Sequence, residues 1–497
     1  MKNRSNKKYF EVSLSKEEIE KICQFPKKSE TLANEPYSNK FLIDKMFFYP
    51  KFFNLYVSIQ HGVFIRKINN EIFEGDIMSN FDYALYDRPL KEQYGIKVLS
   101  VEHPFLFYRK KYNIKQKNSA KGTLIFPLHS TFGLDIKYSI KEYIKDLKSL
   151  PESFYPLMIC LHFTDVLKGQ HHIWYEEGFE VTSAGNGYRE DFVKRFYDIL
   201  TSVKYITSNE STSALFYAVD LKIPAFIYGN NKIDKVDIYS KFNQNNFKKE
   251  EFNKLFYKKY RLNDYFPTCP TTKISKKTEK FVDEVLGKNN PKNSRLYVSF
   301  VLYKEWIKHQ IKKINILIEK KSLMKYKRFI DEKSLDIQNH MTLEEKLSLI
   351  KYSKNRVVAE VGSFLGSNTL NISNVAKRVY AVDNWKRHQI DNSFEVFKKN
   401  ISNKKNIIIL NGEFEGALRK VPNEIDIAII DGEHNSYESV CRDIKILFPK
   451  IKVGGYIIIH HLIWSVHPKM CIYDYLKNVT KKINNLPNLW IGEKIKF

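Results

Sequence analysis

Val357-Val358-Ala359-Glu360-Val361-Gly362-Ser363-Phe364-Leu365-Gly366-Ser367-Asn368-Thr369 runs from an apolar strand pattern straight into a glycine-bearing turn and the start of a helix. Gly362 and Gly366 lack the Cβ atoms that hold a backbone away from a ligand, and Glu360 at the strand end offers a carboxylate to an ammonium or a hydroxyl. The spacing is Glu-x-Gly-x-x-x-Gly, so the strict Gly-x-Gly-x-x-Gly dinucleotide fingerprint is absent. Taken alone, two glycines after a strand suit a strand-helix turn in any α/β protein.

The downstream chain narrows this. A second strand, Arg378 to Val382, is closed by Asp383, where an acid that binds ribose hydroxyls stands in nucleotide-binding βα units. A third strand, Asn406 to Leu410, ends at Asn411-Gly412-Glu413. A fourth, Ile425 to Ile430, ends at Asp431-Gly432-Glu433-His434. After a helical pattern from Tyr437 to Leu447, a fifth runs from Gly455 through Ile459 to His460-His461. Short, continuous apolar runs separated by helical periods predict a buried parallel sheet. Each polar cluster then lies at a strand's carboxyl end, the edge at which open α/β sheets bind ligands.

At these residues, 341–497 resembles the class I S-adenosylmethionine-dependent methyltransferases, and within them a subgroup found with antibiotic and surface-sugar O-methylation. Glu360, Gly362 and Gly366 match the first motif of that class, Asp383 its ribose acid, Ile430 to Glu438 its fourth-strand signature, and Lys452-Val453-Gly454-Gly455 the turn before its fifth strand. The resemblance implies a Rossmann-like domain that holds S-adenosylmethionine through Glu360, Gly362, Gly366, Asp383, Glu413 and Asp431. Many relatives carry His-Asp after the fifth strand, and in some an acid there joins the fourth-strand Asp on a divalent metal. This chain has His460-His461. Together with Asp431 they form a two-imidazole, one-carboxylate set that suits a borderline metal better than Mg²⁺. The same change allows a metal-free route in which His434 or His461, beside Asp431, removes the proton of a sugar hydroxyl as general base. Any of these histidines can instead be a hydrogen-bonded core side chain.

A chain of 497 residues calls for two or three domains. Its formal net charge of +26, from 82 Lys plus Arg against 56 Asp plus Glu, invites a nucleic-acid reading. The lysines are spread along the whole chain among Asn and Ile, however, and no RNA-binding or helix-turn-helix pattern occurs, so no specific nucleic-acid partner is expected. Only Lys304 to Lys327 concentrates the charge, as a solvated helix face or as a contact with anionic lipid or glycan. Five cysteines without a C-x-x-C pair suggest neither a zinc cluster nor a disulfide framework, and fit a reducing compartment. The basic N-terminus leads into no signal-peptide core, and no run approaches membrane-spanning length. A cytoplasmic protein, at most peripheral to the inner membrane face, is expected.

In the first 285 residues strands again alternate with helical patterns, which predicts βαβ units. The strand Asn54 to Ile59 ends in Gln60-His61-Gly62, Thr123 to Phe126 in Pro127-Leu128-His129-Ser130-Thr131, and Tyr205 to Thr207 in Ser208-Asn209-Glu210-Ser211-Thr212-Ser213. Ser211, Thr212 and Ser213 stand where a helix begins. Their hydroxyls and the free backbone N–H groups suit a diphosphate, or an ordinary N-cap. Together with Ile223-Pro224-Ala225-Phe226-Ile227, these segments resemble the two-lobed GT-B class of sugar-nucleotide transferases, particularly bacterial capsule and surface-polysaccharide enzymes. The resemblance implies that the helix at Ser211, Thr212 and Ser213 holds donor phosphates and that His61, His129, Ser130 and Thr131 line the cleft.

The expected architecture is therefore α/β throughout: a two-lobed GT-B-like region over 1–285, a basic helical connector over 286–340 and a Rossmann-like methyltransferase domain over 341–497. The function it implies is bifunctional synthesis of a bacterial surface polysaccharide, with sugar transfer from a nucleotide donor and O-methylation of a glycan or sugar acceptor. Alternatives are a methyltransferase joined to a non-catalytic glycan-binding module and, less favoured for want of a base-methylation motif, an RNA methyltransferase.

Overall fold

The structure, a computed structural model, describes residues 8–26, 37–59, 79–82, 97–129, 134–210, 212–229, 234–237, 265–385, 392–412, 414–434, 436–463, 465 and 467–496. They divide into two compact units that meet in sequence at Ile307 and Lys308. This boundary falls inside one long helix, Arg295–Leu323, and inside the span expected to be a separate connector. Burial explains the division. Val298, Val301 and Leu302 belong to a core of the first unit, whereas Leu323 packs in the second with Met341 and Leu347.

In the first unit, β1 (Ser58–Ile59), β2 (Ser79–Asp82) and β3 (Lys97–Ser100) form a parallel sheet in that order. A second sheet contains β4 (Thr123–Ile125), β6 (Leu157–Cys160), β7 (Glu180–Thr182), β8 (Tyr205–Ser208) and β9 (Ala225–Ile227). Its order is β7-β6-β4-β8-β9 with every neighbour parallel, while β5 (Leu134–Lys137) pairs separately and antiparallel with β10 (Asp234–Asp237). Successive residues along the central strands enter opposite cores. Leu124 and Met158 face one cluster, and Ile125 and Ile159 face the other. Burial on both faces is the reason these strands read as unbroken apolar runs.

The second unit is built on β11 (Val357–Val361), β12 (Arg378–Asp383), β13 (Ile407–Asn411), β14 (Ile425–Ile430), β15 (Ile451–Ile459), β16 (Thr480–Lys482) and β17 (Trp490–Lys494). The sheet order is β13-β12-β11-β14-β15-β17-β16, with β11 to β15 parallel and β17 antiparallel to both of its neighbours. The five expected strands are present. The terminal β16–β17 pair escapes a periodicity reading because Thr480-Lys481-Lys482 is short and polar. Ala359, Val361 and Ala428 face one core, and Val358, Ile427 and Ile429 the other. The chain order reverses direction across the sheet between β11 and β14, so the crevice for a ligand opens at their carboxyl ends.

One cysteine expectation is corrected. Cys441, in the helix Tyr437–Leu447, and Cys471, in the helix His467–Cys471, form a disulfide across a separation of 30 residues. Pattern reading sees only near-neighbour cysteines, whereas these two helices pack against each other and bring distant thiols together. No described helix is long and apolar enough to cross a membrane.

Gly362, just past β11, is the backbone position at which the turns after β11 and β14 meet. Its φ is +85°, and a Cβ there would lie 2.3 Å from the carbonyl oxygen of Asp431. Gly416, by contrast, sits in the helix Phe414–Arg419 with nothing near its virtual Cβ. Gly362→Ala is therefore expected to destabilise the protein by about 3 kcal/mol or more, and Gly416→Ala to stabilise it by roughly 0.5–1 kcal/mol. Urea denaturation of the two variants beside the parent checks both signs.

Candidate active site

Glu360 ends β11 in nearly complete burial, and its Oε2 accepts hydrogen bonds from Ser363 Oγ at 2.9 Å and from Thr369 Oγ1. Burial drives its carboxyl upward to about 7; the two hydroxyls oppose the rise and the nearby Asp431 and Asp383 add to it. Gly366 caps the helix Ser367–Ser373 with φ +89°, and a Cβ there would meet Phe397 and Ile401. The two glycines are thus required by the protein's own close packing at these positions. Asp383, at the end of β12, accepts the Phe364 N–H at 2.9 Å and the Trp385 N–H at 3.0 Å. Asn368, in the first turn of the helix, donates to Asp431 Oδ2 at 3.4 Å, while its own buried Oδ1 has no hydrogen-bond partner among the described residues. Glu413 lies outside the described residues.

Asp431 follows β14 and joins two imidazoles. Its Oδ1 lies 2.7 Å from His460 Nδ1 and 3.0 Å from His461 Nε2. Burial would raise this carboxyl, but the two rings outweigh it and hold Asp431 well below the usual carboxylate range. His460 is fully enclosed, with Nε2 2.9 Å from Asn488 Nδ2 and 3.5 Å from Glu345 Oε2. Because Asn488 Oδ1 accepts the Ile463 N–H, its NH₂ end is the one that faces the ring. Burial disfavours a charged His460, yet Asp431 and Glu345 push it up to about 9. The Asn488 amide opposes that charge, one dipole against two carboxylates, and the upward direction stands. In either form the ring keeps a proton on Nδ1, donated to Asp431.

His461 stands in left-handed backbone, φ +66°, and stacks on His434 with ring centroids 3.7 Å apart. His434 Nδ1 lies 3.1 Å from the Gly432 carbonyl, which places its proton there, and burial with the neighbouring His461 lowers its basicity. The structure thus gathers Asp431, His434, His460 and His461 in one cluster, as expected. Asp431, His460 and His461 are also close enough to share an ion, their ligand atoms lying within 4.8 Å of one another. A metal ligand must present a lone pair, however, and His460 Nδ1 offers one only if its proton moves to Nε2, against the Asn488 N–H. As built, the set holds protons.

Sequence reading missed Asn368, Glu345 and Asn488. Glu345 was visible as the partner of Thr342 in a capping box, which the structure contains. Its approach to His460, and that of Asn488, depends on chain segments far apart in sequence.

In the first unit, His61, Ser130, Thr131 and Ser211 lie outside the described residues. His129, beyond β4, stacks at 3.9 Å on His162, beyond β6. Burial, aided by His129, lowers His162 well below its usual value; its Nδ1 is 2.7 Å from Thr164 Oγ1 and its Nε2 3.3 Å from Tyr37 Oη. Thr212 occupies the N-cap of the helix Ser213–Asp220 without a side-chain capping bond, and its buried Oγ1 has no partner among the described residues. Asn209 Oδ1 accepts the Leu128 N–H at 2.8 Å, tying the ends of β4 and β8, while its buried Nδ2 likewise has no partner among the described residues. Asn209 and His162, both just past predicted strands, were not singled out from sequence.

A doubly wound sheet with acids and imidazoles at its carboxyl edge defines a nucleotide-cofactor domain, and comparison with known proteins gives its kind. Residues 359–462 match the family described as "Methyltransferase domain". A protein of Methanothermobacter thermautotrophicus described as a "Probable cobalt-precorrin-6B C(15)-methyltransferase (decarboxylating)" is 31% identical over 113 residues, 23% of this chain and 56% of the relative. The chain thus spans about half the length of that curated relative. Among solved structures, the precorrin 8W decarboxylase of Methanobacterium thermoautotrophicum is similar at 20% identity, over 32% of this chain and 95% of that one, with a TM-score of 0.26. The O-methyltransferase NovP is similar at 14% identity over 31% and 80%, also at 0.26. Scores of this size add nothing to what the strand order already says. Residues 359–462 form a methyltransferase domain, and S-adenosylmethionine is the cofactor of such a domain.

The raised carboxyl of Glu360 has a thermodynamic consequence. An acid more basic folded than unfolded contributes stability at low pH that is lost as pH rises from about 4.5 to 7. Glu360→Gln, which keeps the shape without the charge, is expected to be the more stable protein at pH 8 by about 2–3 kcal/mol and to equal the parent near pH 4.5. Thermal denaturation of both proteins across this range reads the difference.

Proposed function

We propose that the second unit transfers a methyl group from S-adenosylmethionine to a hydroxyl of a sugar, with His461 as general base backed by Asp431. The observation that carries this is the Asp431 carboxylate receiving two imidazoles at 2.7 and 3.0 Å beside the turn of β11. The residues present fit the cofactor: the Asp383 carboxylate stands at the end of β12, where an acid meets ribose hydroxyls, and Asn368 Oδ1, which has no partner among the described residues, supplies with Glu360 acceptors for an ammonium. When bound, the sulfonium supplies an electrophilic methyl carbon. The protein's part is to orient the acceptor in line with it and to take the proton. As the C–O bond forms and the S–C bond breaks, the hydroxyl proton passes to the His461 ring, and Asp431 stabilises the resulting imidazolium. His460, already paired through Nδ1, fixes Asp431 from behind, and the stacked His434 fixes the plane of His461.

For the first unit we propose sugar transfer from a nucleotide donor whose phosphates lie between the ends of β4 and β8. The support is the pair of buried donors there, Asn209 Nδ2 and Thr212 Oγ1, which lack a partner among the described residues, at the N-terminal end of the helix Ser213–Asp220, where the helix dipole favours an anion. Coupled to the methyltransferase, this makes a bifunctional enzyme of bacterial surface-polysaccharide synthesis. A methyltransferase joined to a glycan-binding module is the competing reading. It predicts glycan binding with no donor turnover.

Calorimetry with S-adenosylmethionine should show binding that Asp383→Ala weakens at least about tenfold. In methyl-transfer assays on sugar acceptors, His461→Ala should lower kcat by about 10²–10⁴, and EDTA should change nothing. Unaltered cofactor affinity in Asp383→Ala, or loss of turnover with EDTA restored by Mn²⁺, would each overturn the corresponding part. Screening nucleoside diphosphate sugars for hydrolysis tests the first unit. Asn209→Asp keeps the bond to Leu128 but sets a negative charge against phosphate, and is expected to lose at least about tenfold in kcat/KM.

A further inference from the structure

The helix Arg295–Leu323 is apolar on two sides. One side is spent on cores. On the other, Ile311, Ile314, Leu317 and Ile318 are each more than half exposed. At about 100° per residue these four side chains fall within one arc of about 120°. On the same wheel Lys308 borders the arc on one side and Lys313 on the other, both exposed. From residue 308 to 321 the helix carries Lys308, Lys312, Lys313, Lys320 and Lys321 against Glu319. Burial, with Lys482 and Lys469 nearby, lowers the Lys312 amine to about 8.

We propose that this face of the helix lies on a membrane surface rich in anionic lipid. The chemistry of the stripe decides between occupants. A second copy of the chain laid along it would bring lysine rows against lysine rows, and a polyanionic glycan would pair with the lysines but leave the aliphatic stripe in water. A bilayer interface satisfies both: the isoleucines and leucines enter the acyl boundary while the bordering lysines meet phosphate headgroups. The face is too short of continuous apolar character to span the bilayer, so the contact is peripheral.

Flotation of the full chain with large unilamellar vesicles tests this. Binding is expected to phosphatidylcholine vesicles containing about one-third phosphatidylglycerol, not to phosphatidylcholine alone, and to weaken as salt is added. Both Ile314→Glu/Leu317→Glu and Lys308→Glu/Lys313→Glu should reduce partitioning by at least about tenfold with unchanged melting temperature. Because the whole chain is basic, Lys141→Glu/Lys145→Glu/Lys204→Glu is the control and should retain binding. The proposal is overturned if the control loses as much as the helix variants, or if no vesicle binding occurs. It is equally overturned if light scattering shows a dimer that Ile314→Glu dissociates while vesicles bind neither protein; the stripe is then a seam between copies.

Discussion

The close approach of two turns, the one after β11 and the one after β14, holds the candidate site together. Gly362 leaves a space that the Asp431 carbonyl fills, so β11 and β14 can run side by side to their very ends. The consequence is positional. Asp431 is delivered beside Asn368 and Glu360, and the His460 N–H bonds the Ile430 carbonyl at 3.1 Å, which brings the end of β15 to the same corner. Glu360, Asn368, Asp431 and His460 are therefore one packed unit, not two clusters joined by a loop.

Within that corner, two buried carboxyls are driven apart by their surroundings. Glu360 is met by hydroxyls and stays near 7, whereas Asp431 is met by two imidazoles and stays charged. Separation of this kind assigns roles, because a permanently ionised group can stabilise a developing imidazolium and a group poised near neutrality responds to the charge of a bound ligand. His461 adds a backbone constraint. Its left-handed conformation is costly for a residue with a Cβ and persists only where its surroundings impose it, here the stacking with His434 and the bond to Asp431.

Much of this was legible in the chain. The five parallel strands of the second unit, and the acids and histidines at their carboxyl ends, follow from unbroken apolar runs that only a doubly covered sheet produces. What stayed hidden depends on distance in sequence. The β16–β17 pair is too polar to register, Cys441 and Cys471 meet only because their helices pack, and Asn488 reaches His460 from the far side of a turn. The glycines were read correctly as turn residues but for an incomplete reason, since what occupies their missing Cβ positions is other parts of the protein. The long helix shows the same limit. A sequence apolar on two sides has little amphipathic signature, and only the burial of Val298 and Val301 opposite the exposure of Ile314 and Leu317 separates a core face from an outer one.

Both large sheets share a device that links fold to ligand. In each, the first strand of the sheet in chain order lies inside it and the chain crosses to the other side only at the fourth, so β4 beside β8 and β11 beside β14 leave a crevice where the flanking loops part. Among the described residues, buried polar atoms without hydrogen-bond partners occur at both crevices: Asn209 Nδ2 and Thr212 Oγ1 in the first unit, Asn368 Oδ1 in the second. Each such atom costs roughly 1–3 kcal/mol when water is excluded and nothing replaces it. The two amide atoms differ in sense, since Asn209 Nδ2 can only donate and Asn368 Oδ1 can only accept.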